Sequence, residues 1–254
     1  MPYCYARKLP QFLRNPLFGD RDRHGPVIDE TDPSWVEYKS RFFDFYESTQ
    51  KGGIGKTIND AGYGVLRDID LNGKRVAEIG PGSMPHRSFW NGTPATFTAV
   101  DISKEFLEMT ASKVDCPFEA VHLDGRSRKL PLPDDSFDVL ISFYSLEHLS
   151  PLDGHLEEYA RVLKPGGVFV GAIPNEGGLA WGVGRYLTSR RWVLRNTTID
   201  YDKIICWEHP NFADSILMGL DRYFEREKIS MYPFSVVNSL DINLVTKFRY
   251  RKPA

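Results

Sequence analysis

The sequence predicts an α/β fold, a mostly parallel sheet with helices on both faces. Three observations predict it. Five short β-rich apolar runs recur between residues 74 and 173. Stretches with apolar residues three and four apart separate them. Two further strand-like runs close the chain, with Pro, Asn and Ser between them, as in a terminal antiparallel hairpin.

The elements follow in order. The first 30 or so residues are rich in Arg, Asp, Pro and Gly and lack a period, so an extended or partly ordered lead-in is expected. Helices are expected at about 34–49 and 55–69. Strands are expected at 74–80, 96–101, 118–123, 137–143 and 166–173. The stretches MPHRSFW, SKEFLEMTASKV and PLDGHLEEYARVLK read as the helices between them. A helix at 211–225 and strands within 228–237 and 241–250 complete the pattern. Residues 1–70 thus read as an arm with helices covering an active site. Residues 71–254 read as the core, with a lid-like insertion at about 175–210.

Composition narrows the function. A formal net charge of −2 gives no global pull toward nucleic acid. The basic clusters SRRWVLR (189–195) and KFRYRK (247–252) read as solvated faces. Cys4, Cys116 and Cys206 have no paired spacing, so free thiols in a reducing, cytoplasmic setting are expected. No apolar run suggests a signal peptide or a membrane span. Oligomeric state is not legible, and a homodimer is left open.

KGGIGKT (51–57) imitates a phosphate-binding loop. Such a loop leaves the end of a buried strand and feeds a helix. Here the preceding WVEYKSRFFDFYESTQ has helical spacing, and Gln50 stands where the motif wants its first glycine. A linker between two helices is expected.

The first predicted strand ends VAEIGPGSMPH. Gly80, Pro81, Gly82 and Ser83 form a turn that lets backbone approach a ligand, with Ser83 as the expected cap of a following helix. Pro85 breaks a dinucleotide fingerprint. Glu78 would repel a pyrophosphate but suits a cationic group. Asp101, ending the second strand, can accept from two ribose hydroxyls. Asp124 and Gly125, ending the third, can meet an adenine edge. S-adenosyl-L-methionine has that profile of cation, ribose and base.

The segments VAEIGPGS, FTAVDIS, LDGRSRKLPLPDDSFDVLISFYSLEHL and EEYARVLKPGGVFVGAIPNEGG resemble class I S-adenosylmethionine-dependent methyltransferases. The branch is the small-molecule group related to the ubiquinone and menaquinone methyltransferases. The resemblance covers about residues 72–177, with INLVTKFRYRK similar to the family's last strand. It implies a Rossmann-like, mostly parallel seven-stranded sheet with a terminal antiparallel strand. It also implies that Glu78, Gly80 and Gly82 line the methionine part of the cofactor, that Ile102 lies against adenine, and that Ser142 and Phe143 lie under the sulfonium. Met84 departs from the family's third glycine and is expected to narrow the pocket or alter contact with the cofactor tail.

Methyl transfer to a hydroxyl needs a base. SPLD (150–153) reads as a capping box, which leaves Glu147 and His148 in the loop after the fourth strand, beside the expected methyl. His148 is the first candidate base and His209, in the insertion, the second. Tyr144, Glu147, Asn175 and Glu176 are expected to face the acceptor. Trp181, Tyr186, Trp192 and Trp207, with the aromatic N-terminal helix, are expected to wall its pocket. The expected acceptor is a small molecule, with oxygen favoured and nitrogen or carbon as alternatives. A protein that binds the cofactor without turnover is the reading from another class.

Overall fold

The computed structural model describes residues 2–50, 53–124 and 128–254, and for 42–50 and 53–54 the backbone alone. The N-terminal segment forms a 3₁₀ turn, Tyr5–Lys8, and helix α1 (Gln11–Phe18), followed by α2 (Pro33–Gln50) and α3 (Gly53–Tyr63). The expected loose lead-in is instead docked. Asp241 accepts from the Tyr5 and Ala6 amides, and Arg7 pairs with Asp214. Cys4 and Phe18 are buried.

The core follows as β1 (Arg75–Ile79), β2 (Thr96–Asp101), α4 (Lys104–Ala111), β3 (Phe118–His122), β4 (Phe137–Phe143), α5 (Leu152–Val162) and β5 (Leu163–Pro174). The insertion holds α6 (Leu179–Arg185), a π-helical turn, Tyr186–Arg190, α7 (Arg191–Asn196) and α8 (Tyr201–Glu208). Then come α9 (Ala213–Tyr223), β6 (Glu225–Tyr232) and β7 (Val245–Arg251). The sheet has seven strands in the order β3-β2-β1-β4-β5-β7-β6. β1 to β5 pair in parallel, and β7 runs antiparallel to both neighbours.

Alternation along the strands feeds two cores. Leu140 and Phe169 face one cluster with Leu156, Tyr159, Ile216 and Leu220. Val139, Ile141 and Val170 face the other with Leu66, Leu71 and Phe97. A third cluster joins Trp35 of α2 to Ile204, Ile205 and Trp207 of α8. Trp207 therefore packs edge-on against Trp35, in a core between the N-terminal helices and the insertion.

Several local expectations are corrected. MPHRSFW forms no α-helix, only a turn and a short 3₁₀ segment, Arg87–Phe89, so Ser83 caps nothing. Residues 64–68 tighten into 3₁₀ geometry instead of extending α3. The capping box does not form: Pro151 is the N-cap of α5 and no side chain caps it. A helix, α2, precedes KGGIGKT, and Gly55 lies within α3. Lys51 and Gly52 of that motif lie outside the described residues.

β4 and β5 meet closely at Gly171. A Cβ there would lie 1.8 Å from the Ser142 carbonyl oxygen and 2.8 Å from the Phe248 ring. Gly171→Ala must therefore displace backbone. It is expected to cost about 3 kcal/mol or more of stability, read by urea unfolding.

Candidate active site

The carboxyl ends of β1, β2, β4 and β5 share one edge of the sheet. At β1 the chain turns through Gly80 (φ 68°) and Gly82 (φ 54°), conformations that favour glycine. No α-helix follows directly, so the turn is held from α4 and the residues just past it. Thr110 donates to the Gly82 carbonyl at 3.2 Å, and the Lys113 ammonium donates to the Ser83 carbonyl. Met84 is also left-handed (φ 52°), but its side chain is buried in the core below. It points into that core and does not narrow the crevice; burial of the thioether stem offsets about 1 kcal/mol of backbone strain.

Glu78 is fully buried at the end of β1. One oxygen, Oε2, lies 3.0 Å from His86 Nε2, whereas Oε1 has no partner among the described residues. His86 is buried between the rings of Tyr63 and Phe143. Nothing in the residue pattern marks His86, because the turn that brings it back to Glu78 lacks a periodic signature.

Asp101 is 9% exposed and accepts from the Ser103 amide at 2.8 Å. Burial raises its pKa, against the lowering pull of the Ser103, Gly82 and Ile102 amides. Ile102 beside it is 67% exposed, an apolar face open at the strand end. Asp124 is exposed at the end of β3, and Gly125 lies outside the described residues. Ser142 is fully buried and shares a short hydrogen bond with Ser145, whose hydroxyl also reaches the Ile79 carbonyl at 3.3 Å. These contacts tie β4 to the glycine turn, where a Cβ on Gly80 would lie 3.1 Å from Ser145 Cβ.

A second constellation lies past β4 and β5. Glu147 is 2% exposed, and its Oε2 has no partner among the described residues. Burial pushes its carboxyl up to about 7, against the opposing pull of His148. His148 Nδ1 donates to the Glu208 carbonyl at 2.6 Å, and its Nε2 lies 3.8 Å from Glu147 Oε1. Burial would lower the His148 pKa, but the ring is 37% exposed, and Glu147 and Glu208 bring the net shift upward. The His148 and His209 rings meet edge to face at 4.7 Å. His209 Nδ1 lies 2.8 Å from Glu176 Oε2, while burial lowers its pKa. Glu176 is fully buried, paired with Arg185, and accepts from Trp181 Nε1 at 3.0 Å.

The structure thus brings His148, His209, Glu147 and Glu176 together. It sets two other expected acceptor residues to structural work. The Tyr144 hydroxyl donates to the Ile58 and Asn59 carbonyls of α3. Asn175 is fully buried, accepting from Thr246 and donating to the Leu240 carbonyl. A groove of about 310 Å³ lies at the opposite end of the strands, but three of its four lining cations, Lys164, Arg249 and Arg251, are paired with Asp138 or Glu227.

A family model described as a methyltransferase domain matches residues 77–171, from β1 through most of β5. The chain has the class I S-adenosylmethionine-dependent methyltransferase fold. A fatty-acid O-methyltransferase of Mycolicibacterium smegmatis is 36% identical to it over 104 residues, covering 40% of this chain and 37% of that protein. A demethylmenaquinone methyltransferase of Tropheryma whipplei is 33% identical over 98 residues, covering 39% and 41%. The chain thus matches 37% and 41% of these curated relatives' length. The structure of an S-adenosylmethionine-dependent methyltransferase from Mesorhizobium loti superimposes with a TM-score of 0.53 at 20% identity, covering 74% of this chain and 96% of that one.

The methyltransferase domain fits its cofactor on observations of its own. The unpartnered buried Oε1 of Glu78 suits a cationic group, the left-handed glycines admit close backbone approach, and the Asp101 carboxylate lies next to the exposed face of Ile102. Nδ1 of each clustered histidine faces an oxygen acceptor, which joins the ends of β4 and β5 to the insertion in a way residue spacing does not reveal. Among the described residues no helix is long and apolar enough to cross a membrane.

Proposed function

We propose that the chain transfers a methyl group from S-adenosylmethionine to a hydroxyl oxygen of a small-molecule acceptor. The observation that carries this reading is the His209–Glu176 pair beside His148, on the same sheet edge as the glycine turn and Asp101. In the proposed complex Glu78 and the Gly80–Ser83 turn hold the amino-acid end of the cofactor. Asp101 accepts from the ribose hydroxyls, Ile102 covers the base, and Asp124 with Gly125 meets its edge. Ser142 and Phe143 floor the crevice. The cofactor supplies an electrophilic methyl on a sulfonium.

His209 is the better base of the two histidines. Burial favours its neutral imidazole, and Glu176 holds the ring through Nδ1, leaving Nε2 to take the acceptor proton. Glu176 then stabilises the imidazolium. His148, held toward its charged form by Glu147 and Glu208, orients the acceptor. The N-terminal helices and the 175–210 insertion cover this edge and exclude water from it. The fatty-acid O-methyltransferase among the relatives supports oxygen as acceptor atom.

Glu147 favours a second reading. A buried carboxylate oxygen without a partner beside His148 also suits an amine acceptor. The test is incubation of the pure chain with methyl-labelled cofactor and a panel comprising a long-chain fatty acid, a dihydroxynaphthalene, a sugar and a primary amine. Label in an O-methyl product is expected. Label in the amine alone would replace oxygen with nitrogen. Cofactor binding without label in any product would make the chain a binding protein.

A further inference from the structure

The helical span 179–196 is amphipathic in the unusual sense. Its inward side carries polar work: Arg185 is 8% exposed and pairs with buried Glu176, and Trp181 Nε1 donates to the same carboxylate. Gly182 abuts the Phe18 ring, and Val193 is buried. The outward side is apolar. Leu179, Val183, Tyr186, Leu187 and Leu194 are between 39% and 55% exposed. A globular helix normally shows the reverse distribution.

The π-helical turn Tyr186–Arg190 makes this one face. At roughly 100° per residue an unbroken helix would swing Val193 away from the buried side of Trp181 and Arg185. One extra residue in the turn rotates the second half back. Val193 then joins Trp181 and Arg185 on the buried side, and Leu194 stays outside, beside Leu179 and Tyr186.

Charge completes the pattern. The span contains four arginines and no acidic residue. Arg185 and Arg190 are consumed by Glu176 and Asp202. Arg191 and Arg195 are exposed on the apolar side. Arginines flanking an exposed apolar helical face are the composition of an interfacial helix, in which aliphatic side chains enter the acyl boundary and guanidinium groups reach phosphates. Helix α1, which packs on this span through Leu17 and Phe18 at Gly182, also exposes Phe12 and Leu13.

We propose that the outward face of residues 179–196 is a docking surface for an anionic phospholipid bilayer. The helix lies in the plane of the interface and spans nothing. Its buried side contacts the Glu176–His209 pair through Arg185 and Trp181, so the docked face and the candidate catalytic pair belong to one helix and its immediate partner. The surface stands independently of the methyl-transfer reading, because binding to lipid needs no turnover.

The test is flotation of the 254-residue chain with vesicles of phosphatidylcholine alone and with about one-third phosphatidylglycerol. Binding to the anionic vesicles is expected, weakening as salt is raised. The double variant Leu187→Glu/Leu194→Glu is expected to bind at least about tenfold more weakly, with an unchanged circular dichroism spectrum and melting temperature. Arg191→Glu/Arg195→Glu is expected to lose the preference for anionic lipid, about fivefold per arginine. A chain that stays unbound at millimolar lipid overturns the proposal. So does lipid binding that the Leu187→Glu/Leu194→Glu variant leaves intact. Sedimentation velocity covers the remaining occupant: self-association abolished by that variant, without vesicle binding, would assign the face to a second copy and overturn the lipid.

Discussion

Arg185→Met is expected to lower the unfolding free energy by about 3–5 kcal/mol. Glu176 is fully buried, so burial alone would push its carboxyl upward. The Arg185 charge, with the His209 hydrogen bond, outweighs burial and holds it well below the usual carboxylate range. Removing the guanidinium leaves a buried carboxylate with only Trp181 and His209 as partners. Its Oε1 already has none among the described residues. The double variant Glu176→Gln/Arg185→Met removes both charges and is expected to recover most of the loss, since a neutral buried pair carries a far smaller desolvation penalty. Urea unfolding followed by circular dichroism reads both. A single variant within about 0.5 kcal/mol of the parent chain would mean that water reaches the pair.

His209→Gln is expected to lower kcat by about 10²–10³-fold on a hydroxyl acceptor. Glutamine keeps a donor toward Glu176 but offers no imidazole to take a proton. S-adenosylhomocysteine affinity is expected to stay unchanged, because His209 lies past β5 and away from the glycine turn. His148→Gln is expected to cost less, about tenfold, as the loss of an orienting group. Steady-state kinetics with both variants separates the roles. A larger loss in His148→Gln would exchange them, and full activity in both would place the base elsewhere.

The parallel strands were legible because their signal is local. Short runs such as FDVLISF carry their β preference within a few residues, and β4 spans Phe137–Phe143 as expected. The chemistry at strand ends was legible for the same reason: Gly80, Gly82 and Asp101 end apolar runs in register. What stayed hidden depends on partners far along the chain. The turn after β1 is held by Thr110 of α4 and Lys113 just past it, so it needs no helix of its own. The N-terminal segment is ordered by Asp214 and Asp241, more than 200 residues away. His86 and Arg185 are the clearest omissions. Each is a polar residue in a stretch without a period, and its partner, Glu78 or Glu176, is assigned only by three-dimensional proximity. The insertion shows the same limit. Its aromatic content suggested a pocket wall, whereas Trp207 is consumed in a core with Trp35 and Trp181 serves Glu176.

The most direct test of the central claim is calorimetric titration of the pure chain with S-adenosylhomocysteine, run in parallel with ATP and with Asp101→Ala. The account predicts one-site binding of the nucleoside product and no heat with ATP. It also predicts a loss of about a hundredfold or more in Asp101→Ala, the scale of two hydrogen bonds to a buried charge. Absence of binding to the parent chain, or heat with ATP instead, would contradict it.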